Sequence, residues 1–190
     1  MLKKTAFAIL FVFTFCIISS AQEDKGKRPS PPAQAQCKFS DGKTITVDYS
    51  SPRMRGRKIF GELVPYGKVW RTGGNEATTF VTNEDLIAVK GTNIPPGSYT
   101  IFTVPTSDTW MLIINKHTGE GGMPYKYESE ELARVPMSVT TLSSPVESFT
   151  ISFDQTGGSC TMRMGWENRQ ASLEFAGKNT DLPVRPPGAR

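Results

Sequence analysis

The chain has 190 residues, 37% of them hydrophobic, with 22 basic and 18 acidic residues and a net charge of +4. No segment is a dense Lys/Arg tract, which argues against nucleic acid as a partner. There is one histidine, His117, with no CxxC or HxH pattern beside it, so neither a zinc site nor any other metal is expected.

Lys3 and Lys4 precede an apolar run over residues 5–18, and Ser19, Ser20 and Ala21 follow as small residues. That pattern predicts a secretory signal peptide over residues 1–21, cut between Ala21 and Gln22. The apolar run is short for a bilayer span. Cys16 lies within it but follows Phe15, where a lipobox needs a small residue, so a lipoprotein anchor is not expected. The expected location is the periplasm or the exterior, with no integral membrane segment after cleavage. Without Lys3 and Lys4 the net charge falls from +4 to +2.

Residues 22–36, QEDKGKRPSPPAQAQ, hold three prolines, mixed charges and no large apolar residue. They read as a disordered linker. Residues 37–184 form the expected domain, and residues 185–190 a disordered tail. Cys37 and Cys160 remain after the leader. Export makes a disulfide between them possible, and two buried, unpaired thiols are the alternative.

Within the domain the dominant period is two. Residues 44–49 alternate after the turn dipeptide Asp41-Gly42. Further strands are expected over 80–82, 86–89, 99–104, 110–114, 134–142, 148–153, 160–166 and 171–175. Gly, Pro, Asn and Asp turns separate them. This spacing predicts an all-β, largely antiparallel sandwich of about eight to ten strands. Single helical turns are expected over 59–64, ended by Pro65, and over 128–133.

Several catalytic patterns are absent. No GxSxG elbow accompanies His117, and no GxxxxGK[ST] phosphate loop occurs, so no cofactor is expected. Ser40 to Lys43 match SxxK, but in a hairpin turn, where the match is accidental. The acidic run Glu128, Glu130, Glu131 reads as a solvated face.

The segment 56–80, GRKIFGELVPYGKVWRTGGNEATTF, stands apart. Its five glycines allow a tightly shaped loop. Arg57 and Arg71 can grip carboxylates or phosphates. Asn75 offers an amide and Glu76 a carboxylate, while Tyr66 and Trp70 offer flat stacking surfaces. These six residues are the candidate ligand-binding set. The competing reading has Arg71 paired with Glu76 as a buried anchor, and Phe60 and Trp70 plugging one end of the sandwich. The loop should cross an end or edge of the sheet and add no long central strand.

The run SPRMRGRKIFGELVPYGKVWRTGGNEATTF, followed by IPPGSYTIFTVP and WMLIINK, resembles the secreted bacterial family catalogued as domain of unknown function 2911. The resemblance covers residues 45–174. Ser51, Pro52, Gly56, Arg57, Phe60, Gly61, Pro65, Tyr66, Gly67, Trp70, Arg71, Gly73, Asn75, Glu76, Ala77 and Thr78 match its pattern. It implies an exported, mostly β protein with no established activity. Members usually carry Trp-Gly after the NK strand, where this chain reads HTGEGGMPYKY. Three functions are then open. The first is an envelope binding module for an unknown ligand, glycan or peptide. The second is a hydrolase-like enzyme using Glu76 and Arg71, and the third a structural envelope protein.

Overall fold

The computed structural model describes residues 28–178, apart from 89, 90, 120 and 122. The expected leader, its expected cleavage position and the expected tail 185–190 lie outside them. The elements are β1 Pro32–Lys38, β2 Thr44–Ser50, β3 Thr78–Thr82, β4 Leu86–Ala88, β5 Thr92–Ile94, β6 Gly97–Pro105, β7 Thr109–Asn115, β8 Glu131–Thr156 and β9 Ser159–Gly177. One 3-10 turn, Glu128–Glu130, precedes β8. No helix among the described residues is long and apolar enough to cross a membrane.

The nine strands make one antiparallel sheet in the order β1-β2-β3-β6-β7-β8-β9-β4-β5. Hydrogen bonding is continuous, so the strands are not divided into two separate sheets. β8 and β9 are the cause. The expected strands 134–142 and 148–153 are one strand, β8, and 160–166 and 171–175 are one strand, β9. Their pairing is broken between Thr141 and Val146 and between Val146 and Thr150. Such irregularities bend a sheet.

The bent sheet packs its own face against itself. Tyr49 on β2 accepts a hydrogen bond from the Ile151 amide of β8 at 3.1 Å. Phe80 on β3 meets Phe175 on β9, ring centroids 5.4 Å apart. The chain after β2 bonds to the middle of β8, Met54 N–H to Glu147 O and Phe149 N–H to Pro52 O, both at 2.8 Å. Ile45, Val47, Phe80, Ile101, Leu112, Met162 and Phe175 lie in the core. A smaller cluster of Phe102, Ile113 and Tyr127 covers the outer face of β6 and β7. This double cover explains why β7 is apolar on both faces.

β1 begins at Pro32, inside the stretch whose composition reads as a linker. The strand alternates, but with small residues. Ala35 and Cys37 are buried, while Gln34 bonds Asp48 at 2.7 Å and Gln36 bonds Thr46 at 3.1 Å across to β2. Pro32 is tolerated because it opens an edge strand. The hairpin from β1 to β2 turns at Asp41-Gly42, closed by Phe39 N–H to Lys43 O at 2.8 Å. Residues 59–64 form no helix. Val64 N–H reaches Ile59 O at 2.9 Å and Gly61 N–H returns to Val64 O at 3.0 Å, closing a compact loop.

Cys37 and Cys160 form a disulfide that joins β1 to β9 across the interior. The two strands are not hydrogen-bonded neighbours. The bridge spans 123 positions of sequence. Restricting so long a loop in the unfolded chain is worth about 4–5 kcal/mol on the chain-entropy model. Thiol titration of the unreduced chain from residue 22 onward is expected to find no free cysteine. Urea unfolding of the Cys37→Ser/Cys160→Ser variant should show a loss of about 2–5 kcal/mol.

Candidate functional site

No named strand lies between Ser50 and Thr78. The segment is instead held at isolated points. Arg53 bridges to Ser148, and Trp70 pairs with Thr103 of β6 through bonds of 2.7 and 2.9 Å. The Glu167 carboxylate accepts the Phe60 amide at 3.2 Å and, at 3.5 Å, that of Ile59. Gly74 N–H bonds Ser50 O at 3.0 Å. Gly73 is required by close approach, because a Cβ there would stand 2.9 Å from Ser50 O.

Strain collects in the same place. Arg55, Thr72 and Asn75 have positive φ of 50, 59 and 52°. A β-branched residue in that region is an outlier, costing about 1–3 kcal/mol. Buried Thr72 is held there by three bonds: its hydroxyl donates to Trp70 O at 3.3 Å, meets the Thr103 hydroxyl at 3.2 Å, and its carbonyl accepts Thr78 Oγ1 at 2.8 Å.

Trp70 lies among aromatic rings. It stacks on Trp166 at 5.7 Å and 20°, and meets Phe149 edge-on at 4.9 Å. Phe60 and Trp110 complete the group at 6.5 and 6.4 Å. Phe60 and Trp70 therefore do plug this end of the folded sheet. Above them lies a cleft of about 650 Å³, floored by Trp70 and Trp166. Arg53, Arg55, Arg57, Lys68 and Arg71 line it, together with exposed Leu63 and Met123. No carboxylate lines it among the described residues. Pro29 and Ser30 close one side; Asn75 Nδ2 holds Ser30 O at 2.7 Å, and Arg28 pairs with Glu76.

The charges are held without being neutralised. Arg57 donates to Met54 O at 2.9 Å and Arg53 O at 2.7 Å. Arg71 donates to Asn75 O at 2.6 Å and Gly121 O at 3.4 Å. Nearby carboxylates serve backbone amides instead: Glu147 accepts the Arg55 amide at 3.0 Å, and Glu167 those of Ile59 and Phe60. Among the described residues no group of three or more His, Cys, Asp or Glu side chains is placed to hold a metal.

Residues 30–175 match the family model described as a protein of unknown function, DUF2911. The chain belongs to this family. No curated protein and no solved structure matches the chain. The DUF2911 region starts at Ser30, well before the residues that carry the sequence resemblance, and so takes in β1 and the cleft wall.

Of the six candidate residues, the DUF2911 cleft brings together Arg57, Trp70 and Arg71. Tyr66 is 40% exposed over Gly61 and does not line it. Asn75 faces the N-terminal strap. The expected buried pair of Arg71 and Glu76 does not form. Glu76 turns to Arg28 and to Ser50 Oγ at 3.4 Å, its side chain 53% exposed; the chain between the two residues turns through left-handed Thr72 and Asn75. Arg53, Arg55, Lys68 and Trp166 also line the cleft, beyond the six residues that the sequence points to. The signal for two of them is the cation cluster RMRGR, which turns at Arg55 and Gly56, both with positive φ, while Met54 packs on the core.

The loop after β7 supplies Met123 and the Gly121 carbonyl. Asn115 fixes it, donating to Tyr127 O at 2.7 Å and accepting His117 N–H at 2.8 Å. Tyr125 donates to Glu131, which Arg134 also grips at 2.7 Å. The Arg134 hydrogen bond holds the Glu131 carboxyl below the ordinary value of 4.5. A lowered folded pKa gives a contribution present above that value and lost as pH falls through the lowered one. Chemical denaturation as a function of pH should find this contribution constant from neutral pH to about 5 and lost on further acidification; Glu131→Gln should remove that dependence.

Arg71→Ala strands no carboxylate, so its unfolding free energy should fall by about 1 kcal/mol. Gly73→Ala forces a methyl group onto Ser50 O and should lose about 1–3 kcal/mol. Chemical denaturation of both variants checks the order.

Proposed function

We propose that this DUF2911 protein is an exported binding module of the cell envelope whose ligand occupies the Trp70 cleft. The observation that supports the reading is the cleft itself. Its volume of about 650 Å³ falls in the usual range of small-molecule sites, about 300–1,000 Å³. Its floor is aromatic and its cations keep their charge. Strained backbone beside it is a mark of functional sites.

The hydrolase reading has weaker support. Glu76 shares a smaller cleft with Asp48, of about 210 Å³, below the range of typical ligand sites. Arg28 occupies Glu76 and Gln34 occupies Asp48. Arg71, its proposed charge stabiliser, lines the other cleft.

Trp70 and Trp166 make intrinsic fluorescence a direct readout. Titration with envelope oligosaccharides, peptides and lipid phosphates should give one class with a saturable change and a raised melting temperature. Arg57→Ala/Arg71→Ala should abolish both while remaining folded. Absence of a saturable response to every class would overturn the proposal. So would product release by the wild type that Glu76→Gln abolishes.

A further inference from the structure

The cleft's lining narrows the ligand to one chemical class. Five cations face a single cavity, and none of them has a carboxylate partner among the described residues. Ordinarily surface cations intersperse with acids, and a concave site of one sign raises the local concentration of the opposite ion. Arg57 and Arg71 are also preorganised, each braced by main-chain carbonyls that leave its positive charge in place. Braced guanidiniums suit oxyanions, which accept two parallel N–H bonds.

The second half of the lining is aliphatic. Leu63 and Met123 are 46% and 44% exposed, two of the four large hydrophobic residues so exposed among the described residues, and both border this cleft. Val64, Pro65 and Val69 add to the apolar lining. Among the described residues uncharged hydrogen-bonding side chains are scarce there, with Ser30 as the hydroxyl and no Asn or Gln in the lining. A neutral glycan, which needs many such partners, would leave its hydroxyls unsatisfied. A bare inorganic anion would leave the aliphatic wall wet.

Resting on the reading of this cleft as a binding site, we infer that its ligand is a single anionic amphiphile: a phosphate or carboxylate head joined to an alkyl or acyl chain. The head lies between Arg53, Arg57 and Arg71. The chain runs over Trp70 toward Leu63 and Met123.

Decyl phosphate, kept below its micelle-forming concentration, tests this by tryptophan fluorescence and calorimetry. It should bind saturably, and inorganic phosphate and decyl maltoside each about tenfold or more weaker. Arg53→Ala/Lys68→Ala removes two exposed cations that bond no other side chain among the described residues. It should weaken decyl phosphate about tenfold or more and flatten the salt dependence. Leu63→Ser/Met123→Ser should bring decyl phosphate down to the level of inorganic phosphate. Competition by phosphatidylglycerol vesicles against bound decyl phosphate would place the natural ligand among lipid headgroups. Failure to compete would place it among free amphiphiles. Equal binding of decyl maltoside, or of inorganic phosphate, overturns the inference. Vesicle binding without monomer binding does too, because it describes a flat patch. An oligosaccharide or peptide that saturates the site where decyl phosphate does not would sink this ligand class and leave the binding module standing. Silence from every ligand sinks both.

Discussion

The candidate site depends on Trp70 being held from two directions at once. Its backbone pairs with Thr103 on β6, and its ring is stacked on Trp166 of β9. β6 and β9 are not hydrogen-bonded to one another, so Trp70 ties a loop to two separate parts of the sheet. Aromatic pairs of this kind add about 0.5–1.5 kcal/mol each beyond simple burial. With Trp70 fixed, Arg71 has one place to go. The strained turn at Thr72 and the close approach of Gly73 to Ser50 both follow from returning the chain to β3 within a few residues.

The second constraint is electrostatic. Loop amides far from a strand need acceptors, and here carboxylates provide several of them. Glu167 and Glu147 are used in that way. The guanidiniums find carbonyls instead, which satisfy their N–H groups without cancelling their charge. The guanidiniums of Arg57 and Arg71 are thereby braced yet leave the loop electrically unbalanced toward the cleft. This arrangement differs from a structural ion-pair network, in which acids and bases neutralise one another.

The architecture that supports the cleft is one bent sheet. The disulfide and the contacts between the chain after β2 and β8 close the bend. Trp166 and Phe149, on β9 and β8, are thereby brought under Phe60 and Trp70. The N-terminal strap reaches the cleft wall because β1 runs antiparallel to β2 along that edge, starting opposite Ser50.

The sequence by itself determined the β class, because period-two alternation and turn residues are local signals that survive any arrangement of strands. It also marked residues 56–80 as irregular, since five glycines and Pro65 oppose a regular element. β1 escaped notice because alanine and cysteine are too small to announce a buried face. The merging of four expected strands into β8 and β9 was hidden by internal Ser-Ser-Pro and Glu-Asn-Arg stretches that resemble turns. Only the tertiary structure decided the partners of charged residues. Arg71 and Glu76 stand five positions apart and look like a pair, yet across a turn with positive φ at Thr72 and Asn75 one lines the cleft and the other meets Arg28. Likewise Trp166 lies nearly a hundred positions from Trp70, and their stack exists because long-range sheet closure brings β9 beneath the loop. Backbone direction at a few turn residues and contacts made through folding at a distance leave no periodic trace in a chain.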